Sequence, residues 1–167
     1  MVLTKSELIA GLHNEVRILQ HLITKIGPGM VDYKPTPKQR STIDLLKYLA
    51  VMGPMLVKAG LSGTFDRDEW GARATALADK DLAGVTAALA AHDQEYDALL
   101  ANVPDEAFRK EVEMFGNKSS AGQFIVSMVL GGCAAYRTQL FCYLKACGRE
   151  ELGTMNLWGG IDPPPAA

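Results

Sequence analysis

Hydrophobic positions recur along this chain at intervals of three and four, which is helical spacing. The first run is Leu8, Leu12, Leu19, Leu22, Ile23 and Ile26. Thr4-x-x-Glu7 precedes it as a capping box, in which the hydroxyl takes one free amide and the carboxylate another. Gly27-Pro28-Gly29 stops it. A second stripe, Leu45, Leu49, Met52 and Leu56, starts at Ser41 with Asp44 three residues on and closes at Gly60. Gly53-Pro54 lies inside it and predicts a kink, because proline removes an amide donor and clashes with the turn before it.

The third stripe runs over residues 79–102 with Leu82, Val85, Leu89, Tyr96, Leu100 and Val103 on one side, and Pro104 ends it. The fourth runs from Ser120, another capping box with Gln123, to Cys147, with Gly148 beyond it. Its predicted inner face holds Phe124, Ile125, Met128, Val129, Gly132, Tyr136, Gln139 and Tyr143. No stretch alternates with period two for long, so a sheet is not expected. Four amphipathic helices imply an all-α fold, a four-helix bundle over residues 1–150. The stretch from Gly60 to Ala78 holds Phe65 and Trp70; at ~3.3 Å per extended residue it reaches ~60 Å, enough to cross the bundle. Residues 151–167 form a tail expected to pack through Trp158, with its last five residues loose.

Composition narrows the partners. Seventeen basic residues against nineteen acidic ones give a net charge of −2, so no overall positive field favours nucleic acid. The longest uncharged stretch, Ser119 to Tyr136, is 18 residues long. That is marginal for a membrane span, and its serines, Gln123 and Gly131-Gly132 make a buried core helix the expectation. The first residues lack the apolar run of a signal peptide, and Cys133, Cys142 and Cys147 form neither a CxxC nor a zinc spacing, so a cytoplasmic chain with reduced thiols is expected. HxxxH, HExxH, P-loop, GxGxxG and GxSxG patterns are absent from the sequence.

The polar residues that wind onto apolar faces are the candidate chemistry. Glu15 falls among Leu8, Leu12, Leu19 and Leu22, where a carboxylate is costly unless paired. Tyr48 borders the second stripe; Gly132, Tyr136 and Gln139 face inward on the fourth. Each is readable as structure or as a ligand contact. His13 and His21 are read as surface residues, and His92 with Asp93 as a solvated edge that could border a cleft.

Asp32-Tyr33-Lys34-Pro35-x-Pro37, then Arg40-Ser41-x-x-Asp44-Leu45-Leu46-x-x-Leu49, together with Tyr136-Arg137-x-Gln139-Leu140-x-x-Tyr143-Leu144-x-x-x-Gly148, resemble in order and spacing the DinB/YfiT-like superfamily of metal-dependent hydrolases and thiol transferases. The resemblance covers residues 5–148 and implies a four-helix bundle with a crossover. It also implies a metal held by three histidines, one on the second helix and two on the fourth. Tyr48, Gly132 and Tyr136 stand at those positions here. The expectation is therefore a bundle without cofactor or metal. Glu15, Tyr48, Gly132, Tyr136 and Gln139 would bind a small polar ligand, or the chain would associate with protein, as a homodimer. The alternative is a hydrolase or thiol-dependent transferase with an atypical metal site or none, using Glu15, His92 or Asp93. Neither nucleic acid nor membrane is an expected partner, and no catalytic residue is assigned.

Overall fold

The computed structural model describes residues 3–164. Its core is a bundle of α1 (Lys5–Ile23), α2 (Thr42–Ser62), the consecutive helices α4 (Leu82–Ala90) and α5 (His92–Leu100), and the long α6 (Ala121–Ala146). This is the expected all-α four-helix architecture with a long crossover between the second and third core helices. The capping predictions hold in detail. The Thr4 amide donates to Glu7 Oε2 at 2.7 Å while Thr4 Oγ1 accepts from the Glu7 amide. Ser41 and Ser120 cap α2 and α6 through Asp44 and Gln123.

Several boundaries differ from the pattern. α2 runs past Gly60 to Ser62 and closes on Gly63, which is left-handed. Gly60 is instead a contact point: a Cβ there would lie 2.9 Å from Phe124 and from Ile125 of α6. The third stripe is two helices, since α4 is capped by Asp81 and the chain breaks at Ala91. The crossover carries a further helix, α3 (Arg67–Leu77), capped by Asp66. It buries no residue fully, so no apolar stripe announced it.

A sheet is also present, contrary to expectation. Strands β1 (Glu111–Met114) and β2 (Asn117–Ser120) pair antiparallel, Glu111 opposite Ser120 and Met114 opposite Asn117. Val112 and Met114 point inward and their neighbours outward. Phe115 and Gly116 make the turn with φ of 53° and 79°, the backbone of a type I′ hairpin turn.

The tail docks against α1 through residues 155–159, and Leu152 and Asn156 are buried. Asn156 Nδ2 donates to Asp162, which also pairs with Lys25 at 2.6 Å. Trp158, the expected anchor, leaves 66% of its surface exposed; backbone and Asn156 contacts hold the strap in its place. Of the last five residues expected to be loose, 165–167 lie outside the described residues.

α6 departs most from expectation. α2 and α6 are equally apolar, yet 72% of the most apolar window of α2 is buried and only 28% of that of α6. The helix read over 119–136 is buried on one face only, through Ala121, Phe124, Ile125 and Val129. Met128, assigned to its inner face, is 39% exposed. A π-helical turn at Val126–Leu130 rotates the residues around it relative to an ideal α-helix.

Candidate functional site

The sequence-predicted polar residues separate into two places. The first lies between α2, α3 and α6. Tyr48 and Tyr136 meet edge to face with ring centroids 5.0 Å apart, and Trp70 packs on Tyr48 at 5.8 Å. The Arg40 guanidinium lies 4.0 Å above the Tyr48 ring, a cation–π contact. Gln139 donates to the Tyr143 hydroxyl, which donates to the Arg40 carbonyl at 3.0 Å. Arg40 thus joins the Tyr48–Tyr136 pair to the Gln139–Tyr143 pair. Burial, with Tyr136 beside it, pushes the Tyr48 phenol up to about 12, against the pull of Arg40. Near neutral pH Tyr48 is a hydroxyl, a hydrogen-bond donor and acceptor, and not a phenolate.

Gly132 belongs to the same region, but no space is kept open there. A Cβ on it would meet Met52 Cε at 3.3 Å and Sδ at 3.4 Å. These are the positions where the resemblance places metal-binding histidines. A neutral phenol, a second phenol turned into an aromatic contact, and a glycine covered by a methionine do not make a divalent-metal donor set. Among the described residues no three His, Cys, Asp or Glu side chains cluster as metal ligands. The residues present do not fit the metal.

Glu15 lies elsewhere, against Arg137 of α6. Its Oε1 accepts from Arg137 Nη2 at 3.3 Å and its Oε2 lies 3.1 Å from Nε. The second approach is too misaligned to be a hydrogen bond. Both side chains are largely buried, 14% and 5% exposed. Arg137 also donates to the Leu157 carbonyl of the tail, and Trp158 lies 5.5 Å from its guanidinium. Burial raises the Glu15 carboxyl above its usual range, and Arg137 only partly offsets this. Arg137 is not among the residues that the sequence pattern singled out. The clue was Glu15 itself, since an inward carboxylate requires a partner.

His92 is also displaced from its expected place. It is 4% exposed, not at a solvated edge, because it stands three residues after Leu89 and four before Tyr96, on the buried side of both helices. Its Nε2 lies 3.0 Å from the Ala50 carbonyl. Burial lowers its pKa, and the Ala50 bond opposes that. Glu15, His92, Tyr96 and Cys133 line a residual void of about 10 Å³, room for one water at most. The Cys133 thiol, buried there, is pushed up to about 12. Asp93 keeps a buried Oδ1 without a hydrogen-bond partner. His13 is partly exposed and lies 3.1 Å from Asp97, whereas His21, read as a surface residue, is largely covered by the tail, with Asn156 Nδ2 at 3.1 Å and Asp162 at 3.7 Å.

No protein-family model and no curated protein matches the chain. Its structure is similar to the crystal structure of a DinB-like protein from Bacillus subtilis, with a TM-score of 0.66 at 16% identity. The match covers 87% of this chain and 94% of that one. The fold is DinB-like, as the sequence motifs implied.

Proposed function

We propose that this DinB-like bundle works by association with another protein surface and without a divalent metal. One observation carries the reading: α6 leaves Val126 and Met128 41% and 39% exposed within a stretch, Ser119 to Tyr136, that carries no charge. Apolar side chains grouped on an exposed, uncharged face are the kind of surface that another protein can cover. The homodimer and cytoplasmic setting expected from the sequence belong to this reading.

A second reading keeps a small polar ligand at Tyr48, Tyr136 and Gln139. The exposed Arg40 guanidinium favours it, since with two hydroxyls and an amide beside it a carboxylate could be held. Glu15, engaged with Arg137, and Gly132, covered by Met52, fall outside that ligand set. Support for a thiol transferase or hydrolase is weaker. Cys133 is buried with a raised pKa, and His92 is committed to Ala50.

Elemental analysis of purified protein, followed by zinc and nickel titration, tests the metal-free part. The expected result is no stoichiometric metal; dissociation constants below about 1 μM, near 8 kcal/mol of binding, would overturn it. Sedimentation over a range of concentrations tests association, which predicts a mass above that of one 18.0 kDa chain.

A further inference from the structure

Residues 153–162 form a strap on α1 whose large apolar side chains turn outward. Met155, Trp158 and Ile161 are 39%, 66% and 49% exposed. The one buried side chain of the strap is polar, Asn156 at 1% exposed. Its orientation is fixed. The Gly153 amide donates to Asn156 Oδ1 at 2.9 Å, so the side-chain nitrogen points the other way. That nitrogen, Nδ2, lies 2.9 Å from Asp162 Oδ1 and 3.1 Å from His21 Nε2 of α1. With two hydrogens it donates to both. His21 Nε2 is therefore the bare, accepting nitrogen. The ring proton sits on Nδ1 and the ring is uncharged.

We propose that His21 is an acid-released latch: its neutral ring holds Asn156, and its protonation frees the strap from the Glu15–Arg137 pair. A solvent proton taken up at Nε2 turns that atom into a donor facing another donor, and the bond to Asn156 is lost. The strap reaches the buried pair directly. Arg137 is 5% exposed, donates to the Leu157 carbonyl and has the Trp158 ring 5.5 Å from its guanidinium. Lifting the strap removes that carbonyl and leaves the guanidinium with free donors for an anionic group. The remaining bonds do not depend on His21. Arg17 donates to the carbonyls of Gly159 at 2.8 Å and Gly160 at 3.3 Å, and Lys25 pairs with Asp162 at 2.6 Å. They lie at the far end of the strap from Gly153, so the latch decides the end that Asn156 anchors.

The charges around His21 set the window. Burial holds its pKa below 6.5, with Lys25 and Arg17 adding to the shift and Asp162 of the strap opposing it. The freed ring then binds a proton more readily than the latched one. The latch is complete above pH 6.5 and weakens as pH falls toward the pKa of the closed ring. Asp162 is not the switch in this range, because its bond to Lys25 holds its carboxyl below 3.8. It competes for the imidazolium from 3.7 Å, but its oxygens are engaged by Lys25 and Asn156. Glu15, raised by burial above 4.5 against the pull of Arg137, is the other group that titrates at the strap. A variant at His21 separates the two.

Amide hydrogen exchange of the full chain between about pH 5 and 8, corrected for the intrinsic rate at each pH, tests the latch. The reporting amides are those of Leu157 and Ile161, bonded within the strap to the carbonyls of Gly153 and Met155. In wild type their opening constant should rise by up to about tenfold per pH unit below about 6.5. In His21→Gln, whose side-chain oxygen accepts from Asn156 and does not titrate, it should stay flat. Nitrogen NMR of the wild-type histidine rings reads the assignment without a variant. At about pH 8 His21 should carry its proton on Nδ1 and be bare at Nε2. A proton on Nε2 there would overturn the latch. So would a wild-type strap that is indifferent to pH, or one that tightens on acidification because Asp162 captures the imidazolium. Opening that keeps its full pH dependence in His21→Gln would overturn it in favour of Glu15.

Discussion

His92 Nε2 lies 3.0 Å from the carbonyl oxygen of Ala50, the acceptor that Pro54 cannot serve. In an α-helix the amide four residues on would donate to Ala50, and that residue is proline. The imidazole of α5 supplies the missing hydrogen. This is how α2 continues through Gly53-Pro54 inside the core without an orphaned carbonyl.

His92→Leu should therefore destabilise the fold by about 1–3 kcal/mol, the cost of an unsatisfied buried carbonyl. In a Pro54→Ala background the backbone amide of residue 54 can serve Ala50, and the same substitution should cost less. A double-mutant cycle by urea denaturation measures the difference, expected at about 0.5–3 kcal/mol. Zero coupling would mean that His92 does not answer the proline.

The same histidine gives a pH dependence. Burial depresses its pKa below the 6.5 of the unfolded chain, the Ala50 bond opposing. The unfolded state then binds the proton first, so the contribution of His92 is complete above pH 6.5. It is lost as pH falls toward the folded pKa. The stability difference between wild type and His92→Leu should shrink below pH 6.5. A difference that grows on acidification would reverse the assignment.

Gly53 sits beside this bond for a steric reason. A Cβ on it would come within 2.1 Å of the Tyr96 hydroxyl, and Tyr96 is 1% exposed. Gly53→Ala should cost about 1–3 kcal/mol through overpacking, more than the ~1 kcal/mol alanine normally returns to a helix. With Tyr96→Phe the nearest remaining contact is Cζ at 3.3 Å, so the double variant should be more stable than Gly53→Ala alone. Thermal melts of the three proteins check the order.

The sequence made the bundle legible where local rules and tertiary structure agree. Thr4, Ser41 and Ser120 cap the helices as read, because a capping side chain bonds its own backbone and needs no distant partner. Failures came where a distant contact decides. α3 has no apolar stripe to read, and strands four residues long are too short to establish alternation. Winding residues 79–102 as one helix put His92 at the rim; it lies in the core because α2 packs over it and its ring reaches the Ala50 carbonyl. In the candidate site Tyr48 and Tyr136 do meet, while Glu15 joins Arg137 instead. Periodicity names the face of a helix but not the neighbour across it.

Glu15 and Arg137 supply the last prediction. The pair is buried, so removing one charge strands the other. Arg137→Met should cost about 3–5 kcal/mol, whereas Glu15→Gln with Arg137→Met should recover much of it, since no ion is left uncompensated. The Leu157 carbonyl loses its donor in both variants, which cancels in the comparison. Glu15 also has a pH signature opposite in sign to that of His92. Burial raises its pKa above the unfolded 4.5, Arg137 opposing. The folded state then holds the proton longer, so this contribution is full below pH 4.5 and falls as pH rises through the raised value. Urea denaturation of wild type and Glu15→Gln should give stabilities that diverge above pH 4.5, wild type losing ground. In Arg137→Met the loss should be larger, because the opposing charge is gone. If wild type instead gains on Glu15→Gln as pH rises, the arginine outweighs burial and Glu15 is ionised at little cost.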